Sequence, residues 1–187
     1  AIRGERDEAR TLAREAANLE TFEGELLGGS THERARAFAI LGFIEERSGA
    51  RREALEAFER SYALDPSNSM PVYGSALVLL RDNRAKDALI RFETAARSAK
   101  PHELYGIRPI ALEAQLGAVS AELSLGEIED ARDRAAALVQ HYPEDPRVLL
   151  RAGEAMASAG SHLEAERFFR DAIEKSPETF HAYMGLA

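Results

Sequence analysis

The sequence predicts an all-α fold, an α-solenoid of stacked antiparallel helix pairs. Three observations predict it. A pattern of small and aromatic residues recurs four times at fixed steps. Glycine ends the first helix of three units, with asparagine in the fourth, and a proline closes each unit. Of 187 residues, 34 are alanine and 21 arginine, both strong helix formers.

The steps are read most easily before Pro177. Gly153 is followed by Ala165, Phe169, Ala172 and Pro177. The same spacing joins Gly42, Ala54, Phe58, Ser61 and Pro66, and again Val119, Ala131, Ala135, Leu138 and Pro143. It joins Ala76, Ala88, Phe92 and Ala95, with Pro101 one residue late. Residues at i, i+4 and i+7 share a helix face. Small residues there let two helices approach, and the large one fills the gap beside them. Gly49, Gly126 and Gly160, with Asn83 in the remaining unit, precede each alanine by five residues. They end the first helix where a left-handed backbone is needed. The prolines end the second.

Helices are accordingly expected near 5–19, 31–47, 51–63, 70–81, 84–99, 110–124, 127–140, 146–158, 161–174 and 178–187. No strand is expected. Ser30 with Glu33 and Ser161 with Glu164 have capping-box spacing, and Asp145-Pro146 reads as a cap followed by a first-turn proline.

This pattern resembles the tetratricopeptide repeat (TPR) family, whose unit is 34 residues. Ala54 to Ala88 and Ala131 to Ala165 are each 34 residues. The resemblance implies a right-handed superhelix with about four complete repeats and half-repeats at the ends. Residues 1–19 read as the second helix of a truncated repeat and 20–34 as a connector. Repeats then occupy 35–68 and 69–100, an insert 101–111, repeats 112–145 and 146–179, and 180–187 starts a further repeat. Beginning at Ala1 and stopping within a helix, the chain reads as a piece of a longer protein. The inserts read as loops or extra helical turns.

Composition narrows the function. Without cysteine, disulfide scaffolds, Cys-based zinc sites and thiol nucleophiles are excluded. A net charge of -8 argues against nucleic acid, which needs a basic footprint. No apolar run approaches the ~20 residues of a membrane span, so no membrane insertion is expected. His32, His102, His141, His162 and His181 form no zincin pair, and no phosphate loop or nucleophile elbow occurs. No catalytic residue, metal or cofactor is expected. Glu45-Glu46 reads as solvated helix surface. Abundant arginine and alanine suggest a high-GC bacterial source. Cytoplasm and periplasm both remain open.

In a helix-pair solenoid the first helices line the concave surface, and the family resemblance implies peptide ligands there. The candidate partner-binding residues are Arg36, Ala39, Phe43 and Arg47 in the first unit. Tyr73, Leu77 and Arg81 follow in the second, Leu116 and Ser120 in the third, Leu150 and Glu154 in the fourth. Phe43, Tyr73, Leu77 and Leu116 form an apolar strip on this reading. Arg47 and Arg81, 34 residues apart, stack along it and suit carboxylates. Each residue also has a plainer reading. The apolar ones pack between repeats, and the arginines pair with Glu45 or Asp82. First helices from 35 to 158 contain no lysine or asparagine, so the carboxylate clamp of chaperone-binding relatives is not expected.

The leading function is a non-catalytic scaffold holding a peptide or helix of a partner protein, apolar with some acidic groups. A groove filled by the protein's own inserts would overturn it. Two alternatives stand beside it: a homo-oligomer assembled through open repeat ends, and a regulatory domain of an enzyme or transport machine whose chemistry lies outside these residues.

Overall fold

The computed structural model describes residues 8, 10–13, 15, 31–106 and 108–186. Their backbone is dominated by helices: α1 (Thr31–Ser48), α2 (Arg51–Leu64), α3 (Met70–Arg81), α4 (Ala85–Ser98), α5 (Ile110–Leu125), α6 (Ile128–His141), α7 (Pro146–Ser158), α8 (His162–Lys175) and α9 (Phe180–Gly185). Helices expected from residue 31 onward all start within two residues of expectation. The described residues between 8 and 15 are helical. The rest of the helix expected over 5–19, and residues 20–30 of the connector with the Ser30 cap, lie outside the described residues.

The junctions follow the chemistry that predicts them. Gly49, Gly126 and Gly160 have φ of +83°, +77° and +77°, and Asn83 has +58°. All four positions are left-handed, a region cheap for glycine and tolerated by asparagine. Asp145 caps α7 by accepting from the Arg147 N–H. Ser161 stands at the start of α8, but its side chain makes no capping bond. The capping box expected there is therefore absent, and only the Ser161 carbonyl joins the helix ladder, accepting from Ala165.

One expectation is overturned. Residues 101–111 contain two strands, β1 (Leu104–Tyr105) and β2 (Arg108–Pro109), paired antiparallel with Leu104 opposite Pro109 and Tyr105 opposite Arg108. Two residues join them, and the first, Gly106, has φ +66°. Primed hairpin turns need a positive φ at that place. Pro109 stands in a two-stranded sheet, where each strand has a free side and its missing N–H costs little.

The chain divides into two compact units, Ala1–Ala111 and Leu112–Ala187. In the first, α1 packs on α2, α2 on α3 and α3 on α4, with α1 also touching α3. In the second, α6 packs on α7, α7 on α8 and α8 on α9. Leu112, Leu116 and Val119 of α5 share a core with Ala131, Ala135 and Leu138 of α6.

In each unit a phenylalanine ring lies between two glycines, too close to either for a side chain there. Phe58 of α2 is 1% exposed and lies against Gly42 of α1 and Gly74 of α3. A Cβ added at Gly42 would meet its ring at 2.5 Å, and one at Gly74 at 2.3 Å. Phe169 of α8 lies likewise between Gly153 of α7 and Gly185 of α9, where an added Cβ would meet the ring at 2.5 Å in both cases. The glycine in the partner helix is expected from the repeat pattern; the glycine in the following helix is not. Ser61 adds a buried bond from α2 to α1, its Oγ donating to the Ala35 carbonyl at 2.7 Å.

Replacing Gly74 by alanine raises helix propensity by up to about 1 kcal/mol, but it drives a methyl into a closed ring contact. Such overpacking costs about 1–3 kcal/mol. Gly74→Ala is expected to lower stability by urea denaturation, and to cost less in a Phe58→Leu background. Equal losses in both backgrounds would show that the ring does not set the contact.

Candidate functional site

The insert is the element that shapes the first-helix face of the N-terminal unit. Glu103 anchors it. One carboxylate oxygen, Oε2, accepts from Ser69 Oγ at 2.6 Å and from the Lys100 N–H at 2.8 Å. The other accepts from the Ser69 N–H at 3.3 Å. The Glu103 carbonyl accepts from the Ile110 N–H, and its own N–H donates to Lys100. One residue thus ties the hairpin to the start of α3 and to the start of α5. Ser69 is fully buried, so its hydroxyl needs this partner.

Tyr105 is carried over the face by that anchor. Its ring lies 4.9 Å from Phe43 and 5.4 Å from Tyr73, centroid to centroid. Phe43 meets Phe58 edge-on at 4.9 Å, and Tyr73 meets Phe92 at 6.0 Å. Five rings from α2, α1, β1, α3 and α4 therefore form one connected cluster. Aromatic pairs at such spacing add about 0.5–1.5 kcal/mol each beyond their buried area.

Beside Tyr105 a groove remains open. It has a volume of about 660 Å³ and lies between α1 and the hairpin, lined by Ile40, Phe43, Ile44, Arg47, Met70, Leu104, Tyr105, Gly106 and Arg108. Ile40 and Leu104 are 50% and 40% exposed. Large apolar side chains are thus held open on both walls.

The sequence-derived candidates divide on this geometry. Phe43 and Arg47 line the groove. Arg36 is exposed on α1 and Leu77 half-buried on α3, neither of them lining it. Tyr73 is 4% exposed and Ala39 fully buried. Both pack inside the unit, so their place on an open face is corrected. The insert accounts for Tyr73, whose outer side Tyr105 covers. Arg81 is exposed but pairs with Glu46. In the C-terminal unit Leu116 is 7% exposed and belongs to the α5–α6–α7 core, a second correction. Ser120 is half-buried and donates to the Leu116 carbonyl. Leu150 packs against the core around Phe169, and Glu154 pairs with Arg151.

Glu45 and Glu46 are also corrected. They are 2% and 6% exposed, not solvated. Glu45 accepts from Arg10 at 2.7 Å, and Glu46 meets Arg81. Glu122, at the matching place of the third repeat, is 2% exposed and accepts from Arg134 Nε at 2.8 Å. Adjacent carboxylates on an amphipathic helix look solvated until the arginine of a neighbouring helix is known. Ile40, Ile44, Leu104, Tyr105 and Arg108 escape sequence reasoning. The signal for the last three is Leu104-Tyr105-Gly106, apolar residues meeting a glycine inside the insert.

In the C-terminal unit Arg147 joins Asp145 and Glu113. Burial works against the charge of Asp145, but bonds from the Arg147 guanidinium and the backbone outweigh it and hold the carboxyl below its ordinary value. Among the described residues no group of histidine and carboxylate side chains could hold a metal. No helix among them is long and apolar enough to cross a membrane.

Comparison with known proteins bears on fold and family. A family model described as tetratricopeptide repeat matches residues 32–103 and 116–187. No curated protein matches the sequence. Among solved structures, YrrB, described as a TPR protein with an unusual peptide-binding site, is 19% identical with a TM-score of 0.67, over 98% of this chain and 84% of that one. MamA is 16% identical with a TM-score of 0.69, over 95% of this chain and 92% of that one. The Cut9–Hcn1 hetero-tetramer of APC/C is 17% identical with a TM-score of 0.73, over 98% of this chain and 34% of the matched one. At these identities the likeness is one of fold.

Two outcomes follow from the anchors. Glu103→Ala is expected to cost on the order of 1–2 kcal/mol, since it removes hydrogen bonds to a charged acceptor. It should also speed amide exchange at the start of α3; unchanged exchange there would dissociate the hairpin from α3. Asp145 carries a depressed pKa in the folded state, so the stability it contributes is present above its unfolded value of about 3.9 and is lost as pH falls through the folded value. Between about pH 5 and pH 2 the wild type should lose more Tm than Asp145→Asn. Parallel losses would remove Asp145 from the acid response.

Proposed function

Because the chain belongs to the tetratricopeptide repeat family, we propose that it is a non-catalytic scaffold that holds a segment of a partner protein against its first helices. The family is one of protein-interaction modules, generally without catalytic activity. The single observation that carries the finer reading is the open groove between α1 and the hairpin. Its apolar walls stay exposed although the array around it is closely packed. A groove of about 660 Å³ is within the roughly 300–1,000 Å³ that small ligands and side-chain anchors occupy.

The insert changes how such a scaffold works. It fills the part of the face above Phe43 and Tyr73 and leaves the flank along Ile40 and Arg47 open. A partner therefore meets a wall and a floor, not a bare row of helices. Leu77 and Arg36 extend the same reading along α3 and α1. Arg81 reaches a partner only by sharing itself with Glu46.

A second reading, assembly with further copies of the chain, draws on α9. Phe180, Tyr183 and Met184 are exposed there, at 68%, 47% and 61%. Apolar clusters of this kind mark interaction surfaces.

The test is site-specific photo-crosslinking in cells of the source. A crosslinking amino acid at position 36 or 77 should give adducts with another protein. The same group at Glu59, exposed on second helix α2, should not. Adducts of equal strength from Glu59, or none from 36 and 77, would overturn the reading. Adducts at twice the chain's own mass would favour self-assembly.

A further inference from the structure

We propose that the groove between α1 and the hairpin selects an acidic protein segment carrying a large apolar side chain. The apolar group enters between Ile40 and Leu104, and a neighbouring carboxylate pairs with Arg47. This rests on the scaffold reading above and names the chemistry of its partner.

Charge carries the choice of occupant. The chain as a whole has a net charge of -8, yet the groove lining holds two arginines and no carboxylate. Arg108 already has an interaction of its own. Arg47 is exposed and has no carboxylate partner among the described residues. A guanidinium beside an apolar wall binds a carboxylate through paired, charge-assisted hydrogen bonds. It also disfavours a basic segment by like-charge repulsion.

Shape carries the apolar part. Phe43 and Met70 form the floor, and Ile40 and Leu104 stand open on opposite walls. Covering them removes apolar surface from water. The hairpin wall is held before any partner arrives, by Glu103 on Ser69 and by Tyr105 on Phe43 and Tyr73. A preformed wall spares the ordering cost that a loose loop would add on binding.

The test is phage display of random 12-residue peptides on the immobilised whole chain. Enriched peptides are then titrated against wild type, Ile40→Ser and Arg47→Glu. Both substitutions change exposed side chains, and circular dichroism verifies that the variants stay helical. The expected consensus places Asp or Glu within about three residues of a large apolar side chain, the spacing over which neighbouring side chains can share one site. Binding should fall at least about tenfold on each variant, a change of about 1.4 kcal/mol. No enrichment, a basic consensus, or equal binding by Arg47→Glu would overturn the proposal. If Ile40→Ser instead converts a dimer to a monomer in light scattering, the groove belongs to a second copy and the proposal fails. Crosslinks from positions 36 and 77 that persist in Ile40→Ser would sink this pocket while leaving the scaffold reading intact.

Discussion

A phenyl ring clamped between two glycines is the contact on which each unit depends. Phe58 fills the space where α1, α2 and α3 meet, and it does so because neither Gly42 nor Gly74 carries a Cβ. The clamp joins a helix pair to the next pair, so the repeat is not a self-sufficient object. Phe169 performs the same service between α7 and α9. Glycine inside a helix costs about 1 kcal/mol relative to alanine. That cost is offset by the close approach it permits, which buries a whole aromatic side chain. The third repeat has Val119 and Ala135 at the matching positions, both in one core and fully or almost fully buried.

Charge is distributed by the same packing. The carboxylates of Glu45, Glu46 and Glu122 are drawn into contacts between helices, each meeting an arginine. Removing one partner of such a pair strands a buried charge, which is strongly unfavourable. They hold helices in register while the glycine clamps hold them close. Around the groove the arrangement differs, since Arg47 has an apolar neighbourhood and no described carboxylate against it. That contrast, within one acidic chain, separates arginines that knit the array together from those, such as Arg47, with no carboxylate partner among the described residues.

Much of the fold is legible in the sequence because it is periodic. The i, i+4, i+7 face around Ala54, Phe58 and Ser61 sets the helix pairing. Gly49, Asn83, Gly126 and Gly160 set the turns, all with positive φ. What escapes is whatever breaks the period. The hairpin over 104–109 occurs once among the described residues, and a strand of two residues has no alternation to detect. The burial of Tyr73 escapes for a related reason. Its helix face is legible, but the tyrosine that covers it comes from the insert. Phe43 and Arg47 are legible as residues of the first-helix face because they depend only on α1, and both line the groove. Leu104 and Tyr105 are not legible, because they depend on how a loop returns to the array.

The hairpin is an appendage to the repeat pattern, and this makes the molecule separable into frame and fitting. The glycine clamps, the left-handed turns at Gly49, Asn83, Gly126 and Gly160, and the ion pairs of Glu45, Glu46 and Glu122 make no use of the hairpin. One wall of the groove, with Leu104, Tyr105, Gly106 and Arg108, is made by it. Glu103, through its bonds to Ser69, and Tyr105, through its ring contacts with Phe43 and Tyr73, join the two systems. On the proposed reading, partner choice is therefore open to change by rewriting a handful of loop residues, without renegotiating the stability of the helices. A designer has the same freedom, provided the Glu103 latch is kept.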